Sequence, residues 1–252
     1  MSWGARAADW LANEEQHGPI YEEVLARTGI GPGDRVLDVG CGGGVFLGVV
    51  AERGAAPHGI DSAPELLELA RRRLPEADLR EAEMTALPHP DACFDLVTGF
   101  TSFFFAADLV AALREAGRVA KPGAPVFIQV WGNPEHCQLE AMKAVTRPFM
   151  PPPPPGAAER RPLWEPGHLE ELAAAAGLAP EAGFDFRFPY EYPDDEALGR
   201  ALLAPMGLAE RVGPEREPGV REEIVQALAP FRRPDGGYRL ENEYRCLIAR
   251  AS

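Results

Sequence analysis

Residues 35–61 constrain the fold most. They run from Arg35 through Val36, Leu37, Asp38 and Val39, a glycine-rich break, and on to Gly59, Ile60 and Asp61. Val36, Leu37 and Val39 form a short apolar run of the kind that suits a parallel strand buried on both faces. Gly40 to Gly44 interrupt it. Val45 to Arg53 then carries apolar residues at helical spacing and stops at Gly54, a natural residue just past a helix end. His58 to Asp61 closes a second strand. The unit reads strand, glycine turn, helix, strand, with an acid at the end. It predicts an α/β chain with a parallel sheet whose C-terminal edge carries the ligand.

Glycine permits the tight turn and lets a ligand approach the backbone with no Cβ in the way. The following helix aims its first N–H groups at whatever occupies the turn. Asp61 lies 21 residues after Gly40, close to the ~20 at which an acid meets a ribose diol. An adenosine-containing ligand follows. A dinucleotide fingerprint requires a third glycine or an alanine three residues after the second, and Val45 stands there. The tract Asp38-Val-Gly40-Cys-Gly42-Gly-Gly44 instead resembles motif I of the class I S-adenosylmethionine (AdoMet) methyltransferases, in which the loop faces an amino-acid tail rather than a pyrophosphate.

Further segments extend that resemblance from about residue 3 to 250, most strongly over 35–131. Pro64 to Arg73 reads as a helix with Ser62 as N-cap. Asp78 to Ala82 reads as a third strand. Glu83-Met84, then Leu87-Pro-His-Pro-Asp91 and a strand at Phe94 to Gly99, resemble the family's acid, spacer and Leu-Pro-aromatic-Pro-Asp segment, with His89 in place of the aromatic. Glu115 to Gly123, ending Lys121-Pro-Gly123, matches the family's turn between fourth helix and fifth strand.

The resemblance implies a Rossmann-like class I methyltransferase fold, with seven strands in the order 3-2-1-4-5-7-6 and strand 7 antiparallel. It implies AdoMet as cofactor and S-adenosylhomocysteine as product. Asp38, Gly40, Cys41, Gly42, Asp61 and Ser62 would bind the cofactor. Glu83 would accept from the adenine amino group, and Met84 would flank the ring. Backbone at Phe100 or Thr101 would meet the amino-acid end. Trp10, Tyr21, Phe103, Phe104 and Trp131 are expected around the acceptor. One domain spans 1–252, with an N-terminal helical lid at 1–34, a Pro-rich lid insert at 133–166 containing Pro151 to Pro155, and a helical cap at 193–236. The N-terminal lid carries Trp3 and Trp10.

Composition narrows the function. The 252 residues carry a net charge of −14, with Lys121 and Lys143 as the only lysines. A chain that tracks phosphates needs a basic stripe, so no nucleic acid is expected. No apolar run reaches the ~18 residues of a membrane span, and the start, Met-Ser-Trp-Gly-Ala-Arg, has no signal-peptide pattern. The four cysteines are scattered, without C-x-x-C, as in a reduced cytoplasmic protein. No metal-ligand spacing and no nucleophile elbow appear.

Methyl transfer from a sulfonium is an in-line displacement with a neutral leaving group. Alignment carries most of it, worth ~7–11 kcal/mol, and a base matters only when the acceptor must lose a proton. His136 and Glu14 are the candidate bases, whereas His168 reads as a helix-start residue. The expected acceptor is a small, partly apolar molecule. Two alternatives remain at this point: an NAD(P)-dependent oxidoreductase, and an AdoMet-binding protein without catalysis.

Overall fold

The computed structural model describes residues 6–152 and 161–252. Trp3 and Pro153 to Pro155 lie outside them. Seven strands form one sheet in the order β3-β2-β1-β4-β5-β7-β6: β1 Arg35–Val39, β2 Ala56–Asp61, β3 Asp78–Glu81, β4 Leu96–Phe100, β5 Pro125–Trp131, β6 Ala179–Tyr192 and β7 Tyr238–Arg250. The pairings from β3 to β5 are parallel, and β7 runs antiparallel to both β5 and β6. This is the order and polarity expected.

Buried residues fall into two cores, one on each face. Along β5, Val126, Ile128 and Val130 point into one core and Phe127 into the other, the period-two alternation of a strand covered on both sides. The first core lies under α5 (Leu109–Val119) and α7 (His168–Ala175). On α5, Ala112, Leu113, Ala116 and Val119 share one buried stripe. Asp108 caps that helix, accepting from Ala111 N at 2.9 Å.

The second core carries α2 (Gly18–Thr28), α3 (Val45–Glu52) and α4 (Pro64–Arg73). It also holds the late helices α8 (Asp195–Leu203), α9 (Leu208–Val212) and α10 (Glu217–Leu228). Ahead of α2, α1 (Ala7–Glu14) packs against α4 and α8. Asn13 ties α1 to the late half: its Nδ2 donates to Ala201 O at 2.7 Å, and its Oδ1 accepts from Tyr192 OH at 2.7 Å.

Some boundaries differ from expectation for physical reasons. Ala63, not Ser62, is the N-cap of α4, because Asp61 Oδ1 accepts from Ala63 N at 2.8 Å and so satisfies the helix entry itself. β6 pairs with β7 along almost its whole length, across one irregularity at Pro180/Ala182. Residues 134–149 fold into short 3-10 turns around α6 (Lys143–Thr146). Leu139, Met142, Val145, Phe149 and Met150 of this stretch pack against the second core.

Candidate active site

At the C-terminal edge of β1, β2, β4 and β5 opens a cavity of about 690 Å³. That is within the ~300–1,000 Å³ usual for a small-molecule site. One end is lined by Gly40, Gly42, Asp61, Ser62, Glu83, Met84, Phe100 and Thr101. Trp10, Phe104, Phe105, Trp131, Met142, Met150, Trp164 and Met206 wall the other. The expected residues Trp10, Phe104 and Trp131 are therefore at the cavity.

The glycine loop is built to turn without side chains. Gly40, Gly42 and Gly44 all have positive φ, of 80°, 54° and 78°. A Cβ on Gly40 would lie 2.5 Å from Ser102 Cβ. Ser102 itself is held by an Oγ–H bond to Val39 O at 2.5 Å. Strain gathers here as well. Thr101 and Met206, both lining the cavity, are non-glycine residues with φ of 49° and 57°. A β-branched residue in that region is costly and is retained mainly at functional sites.

The loop's N–H groups decide what it can hold. Gly40 N and Cys41 N both donate to Ile60 O, at 2.8 and 2.9 Å, and Gly44 N donates to Cys41 O at 2.9 Å. Gly42 N donates to Asp61 Oδ2 at 2.9 Å. Gly43 N and Val45 N donate to the two carboxylate oxygens of Glu14, at 2.8 and 2.9 Å. Every amide from 40 to 45 is thus bonded inside the chain. A pyrophosphate needs such amides free at the helix start, and here two carboxylates already hold that position. This speaks against the nicotinamide-dinucleotide alternative.

Asp61 and Glu83 make this end of the cavity acidic, with Asp38 and Glu14 buried behind it. Asp38 is buried and accepts from Thr98 Oγ1 at 2.7 Å. Burial pushes its carboxyl up to about 8, with Glu14 and Asp61 adding repulsion. Burial likewise raises Glu14 to about 7 against the pull of its two backbone donors, and it raises Asp61. The backbone N–H groups of Gly42, Ser62 and Ala63 satisfy Asp61 only in part, since a carboxylate offers roughly four acceptor positions. Its remaining lone pairs are available to a diol. The Glu83 carboxylate has no partner among the described residues.

Several expected site residues stand elsewhere. Glu14 is no free base: both its oxygens are engaged by the loop, and it holds α1 onto the start of α3. His136 is absent from the cavity lining, with its Nδ1 2.9 Å from Glu243 Oε2 and 3.0 Å from Arg187 Nη2. It belongs to an ion-paired cluster on the strand side of the insert. Tyr21 and Phe103 are buried core side chains. Tyr21 sits against Phe46 and Phe100 with ring centroids at 5.2 and 4.6 Å. Cys41 turns its thiol inward, where a Cβ on Gly59 would meet Sγ at 2.7 Å. Asp38 reaches Thr98 rather than the cavity.

Asn13, Ser102, Tyr190, Lys143, Arg147 and Trp164 line the cavity without having been expected there. Of these, only Ser102 had a legible signal, its place in the loop after the fourth strand.

An open α/β sheet with this strand order, an amide-sated glycine loop and acids at the strand ends suits a cationic, nucleoside-bearing cofactor. The comparisons agree. The description "methyltransferase domain" matches residues 37–128. The ubiquinone biosynthesis O-methyltransferase of Aeromonas salmonicida is 33% identical over 188 residues, covering 69% of this chain and 78% of that one. An uncharacterized protein of Mycobacterium bovis is 34% identical over 189 residues, covering 69% and 68%. The crystal structure of a putative methyltransferase from Bacillus halodurans superposes with a TM-score of 0.61 at 16% identity, covering 93% and 99%, and shows the shared fold. The chain belongs to the AdoMet-dependent methyltransferases and is an enzyme of that class. No helix among the described residues is long and apolar enough to cross a membrane.

Proposed function

We propose that the chain methylates a small, partly apolar molecule held between the aromatic and methionine walls of the cavity, with AdoMet along the glycine-loop end. The observation that carries this reading is continuity. One cavity runs from Gly40, Asp61 and Glu83 to Trp131, Trp164 and Met150, with room for donor and acceptor end to end.

Asp61 accepts from the ribose hydroxyls. Glu83 and Met84 take the adenine, the carboxylate accepting from the amino group and the thioether lying against the ring. The backbone at Gly40, Gly42, Phe100 and Thr101 faces the amino-acid end. When bound, AdoMet supplies a methyl carbon activated by a neutral leaving group.

The chain's part is alignment and exclusion of water. Trp10 brings α1 over the cavity, Met142, Met150 and Trp164 of the 133–166 insert close one wall, and the 193–236 helices form the cap through Leu202, Met206 and Leu208. The helix α1 acts as a lid whose closed position Glu14 fixes. With His136 and Glu14 committed elsewhere, the acceptor's proton leaves to solvent after methylation.

The test is incubation of the purified chain with methyl-tritiated AdoMet and a panel of phenols, amines and carboxylic acids. Label in the small-molecule fraction, with S-adenosylhomocysteine formed mole for mole, supports the reading. Label only in protein points to a macromolecular acceptor and opposes the reading, and so does no label with any acceptor.

A further inference from the structure

The acceptor end of the cavity has a polarity opposite to the rest of the molecule. The charged residues at the cofactor end, Asp61 and Glu83, are acids, as is the nearby Glu14. Across the cavity, Lys143 and Arg147 line the wall one helical turn apart. Lys143 is neutralised by Glu140 at 2.5 Å. Arg147 is exposed, and its guanidinium makes no hydrogen bond or ion pair among the described residues.

Two more arginines stand behind it. The helix α9 packs against the turn 147–149. Arg211 of α9 donates to the carbonyl of Met206, a cavity residue. Arg216 holds its guanidinium 5.0 Å over the Phe149 ring and donates to Val212 O at 3.1 Å. None of the three is paired with a carboxylate among the described residues. In a chain of net charge −14, an unpaired arginine on the cavity wall with two more behind it, where the lining acid Glu140 is taken by Lys143, stands against the composition. Elsewhere on the surface most arginines are matched, as at Arg80 with Asp78, Arg118 with Glu115 and Asp91, and Arg239 with Glu191 and Glu241.

A guanidinium beside apolar walls is a receptor for a planar or tetrahedral oxyanion, which it can grip with two parallel N–H bonds. The flanking Met142, Met150 and Trp164 offer surface to an apolar body. A local positive field in an acidic protein also draws an anionic ligand toward this mouth.

We propose that the methyl acceptor is an organic anion: an apolar or aromatic body bearing a carboxylate, sulfate or phosphate group received by Arg147, with Arg211 and Arg216 supplying the surrounding positive field. This rests on the methyl-transfer reading for the word acceptor, but the anion site is testable without it.

The probe pair is 2-naphthoate and its neutral counterpart 2-naphthamide, titrated into the full chain with and without S-adenosylhomocysteine. The readout is quenching of the cavity tryptophans, confirmed by calorimetry. The wild type should bind the naphthoate about tenfold tighter than the amide, as a charge-assisted bond implies, and the preference should shrink with added salt. Arg147→Gln should reduce it to about twofold or less while leaving the affinities for the amide and for S-adenosylhomocysteine unchanged. Arg147→Lys should restore part of it. Equal binding of the two probes by the wild type, no binding of the naphthoate, or a preference that survives both Arg147→Gln and the double variant with Arg211→Gln would overturn the proposal. If the preference holds but S-adenosylhomocysteine does not bind, the anion site stands and the methyl-transfer reading falls.

Discussion

Replacing Glu14 by alanine tests how the glycine loop is held. The carboxylate accepts from Gly43 N and Val45 N at 2.8 and 2.9 Å, and Glu14 is only 7% exposed. Bonds to an ionised group are worth about 1.5–3 kcal/mol each, and the variant leaves the buried Gly43 amide and the half-buried Val45 amide without that partner. Relief of the buried carboxylate's desolvation offsets part of that loss. A net loss of about 2–4 kcal/mol is expected. For a chain of this size it lowers the melting temperature by roughly 5–15 °C. Glu14→Gln keeps one acceptor and turns an NH₂ toward the other amide, so it should fall between wild type and alanine. Urea unfolding gives the free energies, and hydrogen exchange should quicken at Gly43 and Val45. A loss under about 0.5 kcal/mol from Glu14→Ala, with exchange unchanged at both amides, would refute the claim that Glu14 satisfies the loop and latches α1.

Three other outcomes follow from the same site. Asp38 and Glu14 have carboxyl pKa values raised to about 8 and about 7 in the fold. Between about pH 4 and pH 8 the folded chain therefore holds more protons than the unfolded one, and stability falls as pH rises through that window. The melting temperature of the free protein should be higher near pH 6 than near pH 8.5, and a flat or rising trend would count against it. The depressed pKa values of Asp78 and Glu115 reverse the trend below about pH 4. AdoMet, a cation at sulfur, should bind more tightly and release protons as pH rises from 6 to 8.5, a dependence that calorimetry in buffers of different ionisation heat detects. S-adenosylhomocysteine should show less of it, and equal dependence would remove the acidic-rim argument. Gly40→Ala forces a Cβ to 2.5 Å from Ser102 Cβ at a φ of 80°, so it should cost about 1–3 kcal/mol and weaken AdoMet at least tenfold. An alanine variant of wild-type stability and affinity would show that the turn can relax.

The sheet was readable in the sequence because its signals are local and physical. Apolar runs such as Val36 to Val39 and Val126 to Val130, stopped by glycine and proline, become buried parallel strands in the expected order. Asp61, Glu83 and Phe100 reach the cavity because their place at strand ends settles where they stand. Side-chain direction was not legible. Cys41 and Asp38 sit in the motif but turn inward, and Tyr21 and Phe103 join the core, because the apolar residue that faces a pocket and the one that faces the core look alike in a single sequence. Glu14 lies 29 residues before Gly43, and no local pattern announces that its carboxylate will cap a distant helix. Arg147 was equally silent. It stands out only when the folded chain shows which arginines have found an acid and which have not.

The central claim is that a cationic, adenosine-bearing donor lies along the rim of β1 and β2 with its ribose on Asp61. Titration calorimetry of the wild type and Asp61→Ala with AdoMet and with NADH tests it directly. The account predicts one AdoMet bound per chain, no measurable NADH binding, and at least a tenfold loss of AdoMet affinity in the variant. NADH binding in place of AdoMet, or an Asp61→Ala protein that binds AdoMet as the wild type does, would contradict it.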